Sequence, residues 1–120
     1  MQQLQIPPLA EGEIYVGAIG DKNGDFHHVI LLPGDSDDGT WQAAMDWAKS
    51  IGGDLPTRIE QAMLWAGFRD QFEKDWYWSN ETHHADSACA WYQYFGSGYQ
   101  HDDRKDGYGC RARAVRRLSI

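Results

Sequence analysis

Two apolar segments near the N-terminus flank a short polar one. Glu13 to Ile19 and Phe26 to Leu32 are rich in Ile, Val, Tyr and Phe, and Asp21-Lys22-Asn23-Gly24-Asp25 lies between them. Because Asn-Gly supplies the positive φ angles that a tight turn requires, this pattern predicts a β-hairpin. The acidic stretch from Asp35 to Gly39 is predicted to be a loop.

Two predicted helices follow the hairpin. Thr40 caps the first, whose apolar residues recur at helical spacing, at Trp41, Ala44, Met45, Ala48 and Ile51. In the second, Thr57 and Glu60 have the Ser/Thr-x-x-Glu spacing in which each side chain binds a backbone N–H left free at the helix start. The buried stripe of this helix is expected at Ile59, Ala62, Met63, Ala66 and Phe72.

The C-terminal part of the chain is rich in strand-forming residues. The predicted strands are Trp76 to Ser79, Ala88 to Phe95, Tyr99 to Arg104 and Cys110 to Leu118. The short Gly96-Ser97-Gly98 segment joins the middle two as a hairpin. Strands, two helices and then a run of antiparallel strands predict an α+β fold, with the helices packed on antiparallel sheets in one domain that spans residues 1–120.

Charge and cysteine content narrow the function classes. The chain has 120 residues, a net charge of −7 and two cysteines. Acidic character disfavours nucleic acid as a partner, because phosphate contacts need a clustered positive field.

No stretch approaches the roughly 20 apolar residues of a membrane span, and Met1 to Ala10 lacks the regions of a signal peptide. We therefore expect a soluble protein made in the cytosol, without membrane insertion; two cysteines leave the redox compartment open.

Four segments resemble one protein family. They are Gly53 to Arg58, Trp76 to Ser79, Ala90 to Phe95 and Arg111 to Leu118. Together they are similar to the C-type-lectin-like variable proteins of phage and bacterial diversity-generating retroelements. The resemblance implies a C-type-lectin-like fold, with a scaffold over about residues 13–81 and a variable ligand-binding region over about residues 82–118. It also implies a phage or prophage origin, with the protein incorporated in a virion or retained in the host cell.

In that family, adenines in the asparagine codons of a template are randomised, and the altered copy replaces the end of the target gene. The resemblance therefore assigns ligand binding to positions that an asparagine codon can reach. These are Tyr92, Tyr94, Ser97, His101, Asp102, Asp103, Asp106, Gly107, Tyr108 and Cys110, with His84, Asp86, Ser87 and Cys89 as outer candidates. Constant scaffold positions would be Ala90, Trp91, Gln93, Gly98, Gln100, Lys105 and the Arg-Ala-Arg-Ala run.

Strand alternation supports a binding face independently of the family. Tyr92 and Tyr94 lie on one side of a strand, and Trp91, Gln93 and Phe95 lie on the other. We expect the tyrosine side to be exposed and contiguous with His101, Asp102, Asp103 and Tyr108. The Tyr, Ser, Gly and Asp content of residues 82–110 is typical of antibody paratopes. The alternative is that the tyrosines are half-buried sheet residues beside a solvated loop.

Several other chemistries are disfavoured. Phe26 and Leu32 occupy the positions that glycine and glutamate take in an EF-hand calcium loop. The Glu-Pro-Asn, Gln-Pro-Asp and Trp-Asn-Asp motifs of calcium-dependent sugar-binding lectins do not occur. No paired spacing organises His83, His84, Cys89 and Cys110 into a zinc site. We expect Arg111, Arg113 and Arg117 to pair with carboxylates such as Asp102, Asp103 and Asp106, or with loop carbonyls, rather than with RNA.

The sequence therefore predicts a non-enzymatic binding protein, without a cofactor or metal, that recognises a protein or cell-surface ligand through its diversified C-terminal face. Its oligomeric state is left open. One alternative is a constant structural or accessory module of a virion. Another is an oxidase similar to the formylglycine-generating enzyme, which shares the fold and needs a reactive pair of cysteines, here Cys89 and Cys110.

Overall fold

The computed structural model describes residues 4–120, apart from the side chain of Asp38. The expectation about Met1 to Ala10 falls partly on residues 1–3, which lie outside that range. The described elements are β1 (Ile14–Gly20), β2 (Phe26–Leu31), β3 (Ser36–Gly39), α1 (Trp41–Ser50), α2 (Arg58–Phe68), a 3-10 turn (Arg69–Gln71), β4 (Trp76–His83), β5 (Asp86–Tyr94), β6 (Tyr99–Arg104), β7 (Cys110–Ala112) and β8 (Val115–Ser119).

The strands form two sheets, and the domain is α+β as predicted. The smaller sheet has the order β1-β2-β8, and the larger has the order β3-β7-β4-β5-β6. Neighbouring strands are antiparallel, except that β7 runs parallel to β4. The predicted hairpin from Glu13 to Leu32 is confirmed as β1–β2, with Gly24 in its turn at a φ of +83°.

Both helix starts are confirmed. The Thr40 side chain accepts a hydrogen bond from Ala43 N–H. At the start of α2, Thr57 Oγ1 accepts from Glu60 N–H at 3.2 Å, and Glu60 Oε1 accepts from Thr57 N–H at 2.8 Å. Two backbone donors that would otherwise face no acceptor are satisfied in this way, which fixes where the helix begins.

The predicted buried stripe of α2 is wrong. The side chain of Ile59 is 65% exposed, and Ala62 and Ala66 are also exposed. The buried residues of α2 are instead Glu60, Gln61 and Leu64. Two of these are polar: Arg117 binds the Glu60 carboxylate, and the Gln61 amide donates to the Tyr77 carbonyl, while the Gln61 Oε1 atom has no hydrogen-bond partner within residues 4–120. A count of apolar residues at helical spacing misses such a face.

Two further boundaries differ from the prediction. The segment Cys110 to Leu118 is not one strand, because β7 belongs to the larger sheet and β8 to the smaller. At the crossover, Arg113 donates to the carbonyls of Gln71 at 2.6 Å and Leu32 at 2.8 Å. The acidic loop from Asp35 to Gly39 contains the short strand β3, which pairs with β7.

The core has two clusters, one on each side of the larger sheet. On one side, Trp78, Ala90 and Ala112 pack with residues of α1 such as Ala44. On the other side, Tyr77 and Phe95 pack with Leu64 of α2 and with Val29, Leu31 and Val115 of the smaller sheet. The helix α2 therefore covers one side of the larger sheet, while α1 packs mainly on the β3, β4 and β7 end of the other side.

Candidate ligand-binding face

The side of the larger sheet that faces α2 is closed. Gln93 is 1% exposed and donates from Nε2 to the Gln61 carbonyl at 2.7 Å, while its Oε1 accepts from Gln100 Nε2 at 2.9 Å. Gln61 Nε2 donates in turn to the Tyr77 carbonyl at 3.0 Å. Because these amides bridge helix and strands, the β5–β6 hairpin is held rigidly against α2.

The opposite side of the same hairpin is open. Register places Tyr94 between Trp76 of β4 and Tyr99 of β6, and places Tyr92 opposite His101. Residues directly paired across antiparallel strands point to the same side of a sheet. We call the resulting surface the open face and define it as Trp76, Tyr92, Tyr94, Tyr99, His101 and Asp103.

The aromatic rings of the open face form one packed group. Trp76 stacks on Tyr92 with ring centroids 4.1 Å apart and lies 5.2 Å from Tyr94. The edge contact from Trp76 to Tyr99 spans 6.5 Å, and Tyr99 lies 5.8 Å from His101. Contrary to the expectation of an exposed tyrosine side, the Tyr92 and Tyr94 side chains are half-buried, as the alternative interpretation had it, whereas Tyr99 is 59% exposed. The group is thus supported from below by core residues and presents its outer rings to solvent.

A carboxylate lies beside these rings. Asp103 is paired with Ala90, which places it diagonally next to Tyr92. Burial raises the pKa of the Tyr92 hydroxyl, and the negative charge of Asp103 raises it further. Tyr92 therefore stays protonated at neutral pH and is available as a hydrogen-bond donor.

Four of the positions predicted to bind ligand are brought together on this surface: Tyr92, Tyr94, His101 and Asp103. Asp102 does not join them, contrary to the expectation of one contiguous set, because it is paired with Trp91 and points to the other side of the sheet. Successive strand residues alternate sides, so Asp102 and Asp103 cannot share a face. His101 Nδ1 still reaches Asp102 Oδ1 at 3.4 Å around the strand edge.

The remaining predicted positions lie in turns or in the core. Ser97 is exposed in the β5–β6 turn, and Tyr108, in the loop after β6, is 77% exposed. In the same loop, Asp106 binds Arg104, and Gly107 lies against Asp103. The outer candidates His84, Asp86 and Ser87 are exposed at the β4–β5 turn.

The two predicted cysteines are buried. Cys110 is 4% exposed, and burial raises the pKa of its thiol to about 12. Burial also raises the pKa of the Cys89 thiol, as does its hydrogen bond to the Asp86 carboxylate. Because the thiolate is the nucleophile and the metal ligand, both environments oppose the activation that a reactive cysteine requires. A ligand at the open face contacts neither sulfur directly.

Two members of the open face were not predicted. Trp76 was placed only in a predicted strand, and its ring is half-buried because α1 does not extend over this end of the sheet. Tyr99 was not singled out, although its spacing from His101 places both on one side of β6. Trp91, which the resemblance assigns to the scaffold, is half-buried beneath the Arg58 guanidinium, whose carbon lies 3.6 Å from the ring centroid.

The C-terminal arginines pair with carboxylates and carbonyls, but not with the predicted carboxylates. Arg111 contacts Asp35 at 3.3 Å and Asp75 at 3.1 Å. Arg117 contacts Asp54 at 2.8 Å and Glu60 at 2.7 Å. These partners are distant in sequence, so proximity along the chain could not identify them. In consequence, Asp103 has no arginine or lysine partner within residues 4–120.

The described part of the chain, residues 4–120, contains no group of three or more His, Cys, Asp or Glu residues placed to hold a metal ion. Within residues 4–120, no helix is both long and apolar enough to cross a bilayer. Compared with known proteins, the sequence matches no protein-family model and no curated protein.

Proposed function

We propose that this protein is a non-enzymatic binding protein that recognises a protein or cell-surface ligand through the open face. The observation that carries the proposal is that Tyr92, Tyr94, His101 and Asp103 share one uncovered side of a sheet. Each of these residue types is reachable from an asparagine codon, as the resemblance to retroelement variable proteins requires. The other side of the same strands is anchored to α2.

The physical character of the open face favours recognition. Tyrosine gives a large contact area with only two side-chain torsions, so little conformational entropy is lost on binding. The rings are already packed against one another in the free protein, which lowers the ordering cost further. Aromatic residues that are supported from below and exposed above are typical of the residues that dominate binding energy.

The fold proposed is C-type-lectin-like, with a variable region over about residues 82–118. The order of hairpin, two helices and a C-terminal set of strands is compatible with that proposal. Binding would be non-covalent and would use no calcium. The exposed loop that carries Tyr108 would extend the variable surface beyond the sheet.

Comparison of gene copies tests the proposal. We expect copies from one strain lineage to differ at positions such as Tyr92, Tyr99 and His101, with a near-identical template repeat beside a reverse transcriptase gene. Gln93 and Arg113 serve as internal controls, because both are buried and bonded to the scaffold. Copies without differences at the open face, and no template repeat, would favour a constant structural module of a virion.

A further inference from the structure

Three tryptophans elsewhere in the chain are covered by one of its own cations. The pairs are Arg58 over Trp91 at 3.6 Å, Arg69 over Trp65 at 3.8 Å and Lys105 over Trp41 at 4.3 Å from the ring centroid. Attraction between a cation and the negative face of an aromatic ring makes such pairs favourable. The chain thus uses cations repeatedly to cover half-exposed aromatic rings.

The open face is different. Within residues 4–120, no lysine or arginine lies over the rings of Trp76, Tyr92, Tyr94 or Tyr99. The aromatic contacts of these rings are with one another, with Trp78 and with His101, and the Tyr94 ring also lies against Gly96. The exposed ring of Tyr99 is therefore accessible to a partner, because no lysine or arginine side chain of residues 4–120 lies over it.

The one acidic residue of the open face, Asp103, forms no ion pair within residues 4–120, and the nearby Lys105 ammonium lies over the Trp41 ring. The Asp103 Oδ1 atom accepts from the Arg104 backbone N–H at 2.8 Å, but the Arg104 guanidinium is turned away to Asp106 at 3.1 Å. Arg111, at the far side of β4, is already held by Asp35 and Asp75. The nearby arginines are thus neutralised, and the Asp103 carboxylate is left without a cation.

We propose that the open face binds a basic protein segment, which places arginine or lysine side chains against the exposed Tyr99 ring and beside the Asp103 carboxylate. The inference rests on the proposed function and specifies its partner. A ring without a cation and a carboxylate without a partner are complementary to the same class of ligand group. The net charge of −7 also steers a basic partner towards this protein and repels an acidic one.

The first experiment selects partners without assuming their sequence. A library of random dodecamer peptides is panned on the full chain, with counter-selection on a variant carrying Tyr99→Ala and His101→Ala, both exposed positions. We expect the peptides that bind only the parent to be enriched in arginine and lysine. Thermal melting of the variant confirms that it folds before it is used.

The outcomes of this selection are distinct. Peptides that depend on the face but lack basic residues would overturn the inference and leave the proposed binding function standing. The absence of any peptide that depends on the face would count against both. Enrichment in basic residues among peptides that bind the counter-selecting variant equally well would place the basic site elsewhere and overturn the inference.

The second experiment tests Asp103 with a matched control. Asp103→Asn and Asp25→Asn change the net charge equally, but Asp25 lies in the β1–β2 turn. For the best selected peptide, we expect Asp103→Asn to weaken the affinity about tenfold, as for loss of a charge-assisted hydrogen bond, and Asp25→Asn to weaken it less than about twofold. Equal effects of the two variants would show a general charge effect and overturn the assignment to Asp103.

The chemistry of the ligand group is tested by the peptide itself. Replacing its arginine by citrulline keeps nearly the same shape and removes the charge; for lysine the neutral replacement is norleucine. We expect either change to weaken binding at least about tenfold, because that side chain loses its ring attraction or its ion pair. Unchanged affinity would show that the face recognises shape or apolar area and would overturn the inference.

Discussion

The two sides of the β5–β6 hairpin are built from alternating residues of the same strands, yet they differ in how their polar groups are satisfied. Towards α2, Gln93 and Gln100 are bonded to the helix backbone and to each other. On the open face, the His101 and Asp103 side chains accept hydrogen bonds from backbone N–H groups of their own strand. The first side therefore restrains the hairpin through hydrogen bonds to α2, whereas the second is joined to β4 through its aromatic rings.

Burial also differs between residues on the same side of the sheet. Trp76 and Trp78 point to the same side of β4, but Trp78 is fully buried under α1 and Trp76 is not. Position along the strand relative to α1 thus decides which aromatic residue belongs to the core. The following predictions test this division, beginning with the largest expected effect.

Trp78→Ala should lower the free energy of unfolding by about 3 to 5 kcal/mol, because it leaves a large cavity and removes the hydrogen bond from Nε1 to the Gly39 carbonyl. Trp76→Ala should cost clearly less, since part of that ring is already in water. Urea unfolding of the two variants beside the parent measures the difference. Equal losses would show that the open face is core in solution.

Gln93→Leu should cost about 1 to 3 kcal/mol, because it removes the hydrogen bond to the Gln61 carbonyl and leaves a Gln100 amide donor unpaired. His101→Leu, on the open side of the same hairpin, is the control and should change stability by less than about 0.5 kcal/mol. Thermal melting distinguishes them. A larger loss from His101→Leu would reverse the assignment of the two sides.

Stability should decrease in acid partly through Glu60. Burial alone would raise the pKa of this carboxyl, but hydrogen bonds from Arg117 and from Thr57 N–H outweigh burial and hold the pKa below its ordinary value. The pKa of Glu60 is therefore lower in the folded state than in the unfolded state, where it is about 4.3. The stability that this difference provides is fully present above about pH 4.3 and is lost as the pH falls through the folded-state pKa.

Glu60→Gln should accordingly flatten the fall in stability below about pH 5, in addition to lowering stability at neutral pH. Urea unfolding at a series of pH values between about 7 and 3 provides the measurement. Glu11→Gln, which changes an exposed side chain, controls for the lost charge. An unchanged pH profile in Glu60→Gln would show that the Arg117 contact does not stabilise the folded state.

The smallest effect on stability is expected for a joint change of exposed positions. Substituting Ser97, His101 and Tyr108 together should shift the free energy of unfolding by no more than about 0.5 kcal/mol per site. Cys110 is left out because it is buried in the core. Near-parental melting with loss of the selected peptide would support a tolerant binding face; unfolding of the triple variant would contradict it.

Local chemistry made several features predictable from the sequence. The Asn23-Gly24 turn, the Thr57–Glu60 capping box and the Gly96-Ser97-Gly98 hairpin each depend on residues a few positions apart. Alternation along β5 correctly predicted burial of Gln93 and Phe95 on one side. The same rule applied to β6 would have separated Asp102 from Asp103 before the structure was known.

Only the tertiary structure decided which helix face and which tryptophans are buried. Glu60 of α2 is inside because Arg117, far away in sequence, binds its carboxylate, and Gln61 is inside with its amide donating to the Tyr77 carbonyl. The split of Cys110 to Leu118 between two sheets depends on carbonyls of Leu32 and Gln71 that receive Arg113. Such burial is set by partners brought together by folding, and a pattern of neighbouring residues carries no information about them.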